Sequence, residues 1–319
     1  RRPLRRLASG RKGSPFVTDP AAVKAPDPSE IEVSRPEKLL WPALGFTKRA
    51  YVDYLIAVSD RMLPWLRRRP LTVVRAPDGV DGERYYQKAA PKYAPEWIDR
   101  IRMPAPSAKR DVDYPICDDA ATLAWFGNQA SLEFHPAPVR ADRVDRPDLL
   151  VLDIDPPEGE FAAAVEVALL AIDVLDDLGL ETGVKTTGGK GLHVVVPIER
   201  RYRPSQLRAA AAELTATIAE RRPELVTDAF RKADRGGRVM LDPSRNGGAN
   251  ATIVAPYSPR IRPEGTVSFP LAAEELASAA PERYTLATVA DLLDAPGPQR
   301  WMELAEEHQR LPAKLLRDR

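Results

Sequence analysis

Asp153 and Asp155 close a short apolar run, Leu149 to Ile154, and stand two residues apart. In a strand, residues two apart point to one face. Two carboxylates on one face repel each other and are costly to desolvate. A bound divalent cation relieves both, and oxygen ligands of this kind suit magnesium or manganese. Alone the pair is a weak signal, because such pairs also cap helices and open turns. A second strand, Arg238 to Asp242, ends in an acid in the same way. Between the two lies Gly188-Gly-Lys-Gly191, whose glycines leave backbone N–H groups open to an anion, with Lys190 adding positive charge. It is not a Walker A loop: the glycine spacing is wrong and a strand follows it, so a plain hairpin turn stays open as a reading. His193 sits on the outgoing strand, on the face of Val195. Three carboxylates can hold two divalent ions, and two ions stabilise the attacking and leaving oxygens of an in-line phosphoryl displacement. Lys190, Arg245 and Arg260 would neutralise a triphosphate. Together these residues describe nucleotidyl transfer.

The elements that must place them follow from pattern. Strands are expected at Leu71 to Ala76, Arg84 to Lys88, Ser131 to Pro136, on either side of the glycine turn, and at Ala251 to Ala255. Thr47 is expected to cap a helix from Lys48 to about Leu63. Lys38 and Lys48 bracket the turn before that helix and suit a phosphate at its N-terminus, or are ordinary solvated lysines. Tyr85 and Tyr86 point to opposite faces of their strand, and core packing is the plainer reading of both. His135 is one of three histidines. Helices are expected at 161–178, closed by Gly179, at 204–222, and at 285–293 and 299–310, the last two peripheral. The fold expected is α/β (α+β), with central mixed or antiparallel sheets forming a cleft and helices outside.

Composition excludes more than it identifies. The chain has 319 residues, 47 basic against 46 acidic, and a single cysteine, Cys117. An internal disulfide and a cysteine zinc site are therefore excluded. The longest apolar run, 161–172, is broken by Glu166 and too short to span a bilayer. A cytoplasmic protein with no membrane partner is expected. Residues 1–12 carry six basic residues and no acidic one, a tail or a phosphate-backbone arm.

Leu152-Asp-Ile-Asp-Pro156, Lys185-Thr-Thr-Gly-Gly-Lys-Gly-Leu-His193, Val239-Met-Leu-Asp242 and Ala255-Pro-Tyr-Ser258 resemble the motifs of the archaeo-eukaryotic primase superfamily. More narrowly, they are similar to the polymerase domain of the bacterial end-joining ligase LigD and its stand-alone, LigC-associated relatives. The resemblance runs from about Ser34 to about Pro270. It implies a primase-like core and a template-dependent polymerase that prefers ribonucleotides at gaps and broken DNA ends. It implies two manganese or magnesium ions on Asp153, Asp155 and Asp242. It places Thr187, Lys190, His193, Asn246, Arg260, Arg75, His135 and Tyr86 at the nucleotide. Tyr85 falls at a template-stacking position, and Lys38 and Lys48 where relatives hold a downstream 5′-phosphate. Thr187 replaces a common Ser, and the tyrosine pair replaces phenylalanines. The expected organisation is a basic, Pro-rich extension (1–33), the catalytic domain (34–295) and a C-terminal helix or tail (296–319). Expected partners are DNA with gaps or double-strand breaks, NTP or dNTP substrates, Ku and, since no Lys-x-Asp-Gly motif appears, a separate ATP-dependent DNA ligase. The rival reading is a non-catalytic DNA-binding or bridging component of a repair complex.

Overall fold

The computed structural model describes residues 23–105 and 109–316; the basic stretch 1–12 lies outside the described residues. The first half of the chain runs β1 (Leu39–Trp41), β2 (Phe46–Thr47), α1 (Lys48–Ala57), α2 (Ser59–Leu66), β3 (Leu71–Arg75), β4 (Tyr85–Gln87), β5 (Arg100–Ala105), β6 (Arg110–Pro115), α3 (Ala120–Asn128) and β7 (Ser131–Pro136). The second half runs β8 (Leu149–Asp155), α4 (Phe161–Asp176), β9 (Gly183–Thr186), β10 (Leu192–Pro197), α5 (Pro204–Arg221), β11 (Val226–Thr227), β12 (Val239–Asp242), β13 (Pro270–Leu271) and α6 (Pro296–Leu304).

Six strands form the central sheet in the order β11-β12-β8-β10-β9-β13. Only β11 and β12 run parallel; the other pairs are antiparallel. A three-stranded sheet, β4-β3-β7, lies beside it. The mixed α/β architecture is therefore as expected. The period of two sorts β8 cleanly. Leu150, Leu152 and Ile154 enter the main core with the apolar faces of α4 and α5. Leu149 and Val151 enter a smaller cluster with Val195, Ile253, Trp65 and Trp301. Asp153 and Asp155 continue that second face, beyond the point where the apolar cluster ends.

Four local expectations are corrected. The helix after Thr47 is two helices, broken at Val58, whose backbone sits at φ −92°, ψ 0°. Thr47 does cap the first, its hydroxyl accepting from Ala50 N at 3.2 Å. Residues 251–255 form no strand: Ile253 N and Ala255 N donate to Pro136 and Phe134 carbonyls on β7, but no continuous ladder follows. The C-terminal helices reduce to a 3-10 turn, Val289–Leu292, and α6. Nor is α6 peripheral: the Trp301 indole donates to Val184 O at 2.9 Å and packs on Trp65 with ring centroids 4.5 Å apart.

Candidate active site

β8 pairs with β12 so that Asp242 lies directly opposite Asp153, and with β10 so that His193 lies opposite Asp153 on the other side. The strand order thus brings the acids of two strands and the histidine of a third to one end of the sheet. Two glycines make the turn from β9 to β10 possible. Gly188 has φ +63°, and its missing side chain leaves room for Arg260. A Cβ on Gly191 would lie 2.2 Å from the carbonyl oxygen of Ile154, so only glycine lets the turn lie flat on β8. Within the turn, Thr187 Oγ1 accepts from Gly189 N and donates to Gly191 O. Arg260 Nη1 donates to Thr187 O at 3.0 Å.

A cavity of about 490 Å³ opens over this edge. Nine of the expected site residues line it: Asp153, Asp155, Asp242, Thr187, Lys190, His193, Arg260, His135 and Tyr86. Each acid is engaged. Asp153 accepts from Arg245 Nε at 2.8 Å and faces His193 Nε2 at 3.3 Å. Asp155 meets Lys190 Nζ at 3.0 Å and Arg235 Nη1 at 2.8 Å. Asp242 accepts from the backbone and hydroxyl of Ser244, both at 2.8 Å. As these side chains stand, no three carboxylates or imidazoles among the described residues converge closely enough to hold an ion.

Burial sets the protonation states. Burial alone would raise the Asp153 carboxyl, but His193 and Arg245 overcome it and hold the group well below the usual carboxylate range. Burial, with the nearby charge of Lys185, pushes His193 down to about 4, so the ring is neutral at pH 7 and its Nε2–H points at Asp153. Its Nδ1 is buried and finds no partner among the described residues. On the neighbouring strand, Lys185 is fully buried with Nζ 2.7 Å from Ser268 Oγ, and desolvation lowers its amine well below that of an ordinary lysine. Glu133 has a similar balance on the second sheet. Burial would raise it, but the hydrogen bond from His135, Arg260 at 3.0 Å and the Ile261 N–H bring it to about 2.

Some expected residues lie elsewhere. Asn246 is completely buried. Its amide nitrogen donates to Val151 O and Pro243 O, and its oxygen accepts from Val151 N. The β12 ladder stops at Asp153, and Asn246 takes over as the partner of the β8 backbone from there. It therefore positions the strand and leaves no donor for a nucleotide. Arg75 lies on the opposite face of β3 from the cavity, bonded to Gln129 O, Gln87 and Tyr93, with Tyr85 beneath its guanidinium at 5.7 Å. The two tyrosines do point to opposite faces, but both are exposed, 45% for Tyr85 and 72% for Tyr86, so neither is a core residue. Only Tyr86 reaches the cavity, 6.4 Å from the His135 ring.

Arg235, Arg262, Phe230 and the supporting pair Lys185 and Glu133 were not singled out by the sequence. Arg235 was legible as part of a basic turn before an acid-ending strand. Glu133 was legible from its alternation with His135.

A separate basic cluster gathers at the start of α1. Lys48 N donates to Lys38 O, which fixes the two lysines side by side. Lys48 Nζ reaches Ser34 Oγ at 3.2 Å, and Lys38 Nζ meets Asp78 at 2.7 Å. Desolvation, then the charges of Lys38, Arg35 and Arg75, lower the Lys48 amine. Those three neighbours are all cations, so the charge here invites an anion.

The family model described as "LigD, primase-polymerase domain" matches residues 47–301. The multifunctional end-joining protein LigD of Mycolicibacterium smegmatis is 34% identical over 84% of this chain and 35% of its own length. The bifunctional LigD of Bacillus subtilis is 30% identical over 84% of this chain and 43% of its own. The matched stretch therefore spans less than half the length of either relative. The polymerase domain of Mycobacterium tuberculosis ligase D, solved in complex with DNA, superposes with a TM-score of 0.78 at 33% identity, over 84% of this chain and 95% of that one. By sequence and by fold, the chain belongs to the LigD primase-polymerase domain family.

Proposed function

We propose that this chain is a DNA-dependent nucleotidyltransferase that extends a primer across short gaps and at broken ends, with a preference for ribonucleotides. The observation that carries the reading is the composition of the cavity: five basic side chains, Lys190, Arg235, Arg245, Arg260 and Arg262, face three carboxylates. A polyanion needs the first set. The second set, all hard oxygen donors with two residues on one strand face and a third across the ladder, has the donor chemistry that would hold magnesium or manganese once the side chains turn toward an ion. When bound, such ions supply charge neutralisation and Lewis acidity at the reacting phosphate. They require Arg245, Arg235 and Lys190 to leave the acids, and a triphosphate gives those cations an alternative partner.

In the reaction, the primer 3′-hydroxyl oxygen gives up its proton to solvent and bonds to the α-phosphorus, and the bond from that phosphorus to the oxygen bridging to the β-phosphate breaks, releasing pyrophosphate. Lys190 and Arg260, at the 187–191 turn, hold the phosphates. Thr187 Oγ1 shapes that turn, and neutral His193 orients Asp153. Tyr86 and His135 flank the nucleotide. The Lys38–Lys48 cluster receives the phosphate at the downstream side of a gap, with Tyr85 beside Arg75 available to the template. The partners that fit this task are gapped or broken DNA, Ku and a separate ATP-dependent ligase, in the cytoplasm. A purely bridging role leaves the acids without a task. No helix among the described residues is long and apolar enough to cross a membrane.

The test is extension with manganese on gapped DNA, with ribo- and deoxyribonucleotides in parallel and with a 5′-phosphate or 5′-hydroxyl downstream. Ribonucleotide extension on the phosphorylated gap is expected to be fastest. Lys48→Ala is expected to erase the phosphate preference, roughly a tenfold change in apparent affinity. A wild-type protein that incorporates nothing on any of these substrates sinks the reading.

A further inference from the structure

We propose that Phe230 is a primer-positioning residue, stacking on the base at the 3′ end of the primer as that strand enters the acid cleft; this deepens the nucleotidyltransferase reading. Phe230 is 78% exposed, more than any other large hydrophobic side chain among the described residues. Phe126, Phe134 and Phe269 are fully buried in the core. Burying a phenylalanine is strongly favourable, and this side chain does not gain that stabilisation in the free protein. It lines the same cavity as Asp153, Asp155 and Asp242.

Its placement is built. Arg235 donates from Nε to Ala229 O at 3.2 Å, from Nη2 to Phe230 O at 3.1 Å and from Nη1 to Asp155 Oδ2 at 2.8 Å. The bonds to Ala229 O and Phe230 O hold this loop at the rim of the site, and they do not depend on the bond to Asp155 that an ion there would displace. Arg231 and Lys232 follow, both exposed, and suit the phosphates of a strand running past.

The sheet order says which strand. The turn read as the phosphate cradle joins β9 to β10, on one side of β8. The loop bearing Phe230 leads into β12, on the other side of β8. In an in-line displacement the attacking oxygen comes from the side opposite the leaving group. With the triphosphate on the β10 side, the primer hydroxyl arrives from the β12 side, where Phe230 stands. Tyr86, next to His135 on the second sheet, serves the nucleotide instead. An aromatic face stacks on any base, which suits a primer end of any sequence.

The experiment compares wild type, Phe230→Ala and Phe230→Trp on a primer–template whose 3′-terminal primer nucleotide is normal or abasic. With the normal terminus, Phe230→Ala is expected to raise the KM for primer–template about five- to tenfold and leave the KM for nucleotide unchanged. With the abasic terminus, wild type and Phe230→Ala should converge. Phe230→Trp should restore the affinity, and its emission should quench on binding the normal primer but not the abasic one. That fluorescence arm needs no catalysis, so it reads stacking even if extension fails and the reaction itself is misassigned. The proposal is overturned if Phe230→Ala shifts the nucleotide KM instead, if the loss is equal with the abasic primer, or if the tryptophan does not distinguish the two.

Discussion

Strand β8 has an ion-paired aspartate toward each end, and the two lead different lives. Asp148, just before the strand, accepts from both Nη atoms of Arg69 and from Arg140 Nε at 2.7 Å. Asp153 accepts from Arg245 and faces His193. In both cases burial would raise the carboxyl and the cationic partners win, so both are held below the ordinary range. A lowered carboxyl is therefore no mark of function here. What differs is closure. Asp148 and Arg69 are each 2% exposed, a sealed pair. Asp153 is 13% exposed and Arg245 is 43% exposed, so the second pair opens onto the cavity and its cation has somewhere to go. A sealed pair positions the chain, whereas an open one is available for exchange.

The strongest way to break this comparison is to delete each acid in turn. Asp153→Ala is expected to lower primer extension by roughly a thousandfold or more, about 4 kcal/mol. Its urea midpoint should stay near wild type, because Arg245 swings into water. DNA binding should persist. If that variant still extends a primer, the site is misassigned. Asp148→Asn should do the reverse. It leaves Arg69 buried with its main anion gone, at about 3–5 kcal/mol of stability, while extension per folded molecule is retained. Since the folded carboxyl is depressed, its contribution is present above the unfolded value of about 3.9 and lost as pH falls through the folded one. The stability gap between wild type and Asp148→Asn should therefore narrow below about pH 4. A gap that is flat with pH would remove ion pairing from the account.

Asn246 lies between the two ends and sharpens the contrast. Asn246→Ala strips Val151 of both backbone partners on that edge, at about 1–3 kcal/mol. Because β8 also carries Asp153, extension should fall by about tenfold, or 1.4 kcal/mol. Urea unfolding and single-turnover extension on the same sample separate the two effects. A stability loss with full activity would show that the strand edge does not position the acid.

The acids that end β8 and β12 and the glycine turn were legible because each depends on neighbours within a few residues, whereas the order of the strands was not, because β8 pairs with β10 and β12 from far along the chain. Alternation in β8 is enough to put Asp153 and Asp155 on one face. Most of the misreadings involve partners far along the chain. Asn246 reads as a polar residue near a nucleotide until one knows that β12 stops at Asp242 and leaves Val151 bare. Trp301 reads as part of a surface helix until β9 offers it a carbonyl. Tyr85 and Tyr86 read as core residues because nothing local says that β4 is an edge strand facing two open surfaces. The break at Val58 is a backbone matter with no marked breaker at that position.

The smallest predicted effects come from the two outer arginines, and they test closure most directly. Arg140 is 22% exposed, and Arg140→Gln should cost about 1 kcal/mol of stability with no change in extension, since Arg69 still holds Asp148. Arg245→Gln should change stability by less than about 0.5 kcal/mol. Its effect belongs to the reaction. If Asp153 holds a divalent ion as proposed, Arg245 competes with it, so without the arginine half-maximal extension should need several-fold less manganese. Arg245 also gives the triphosphate a cation once it leaves the acid, so the KM for nucleotide should rise by a similar factor. Opposite shifts in the two titrations of one variant follow from an exchangeable partner. A variant that moves neither would make Arg245 the equal of Arg140, and the two ends of β8 would then differ in exposure alone.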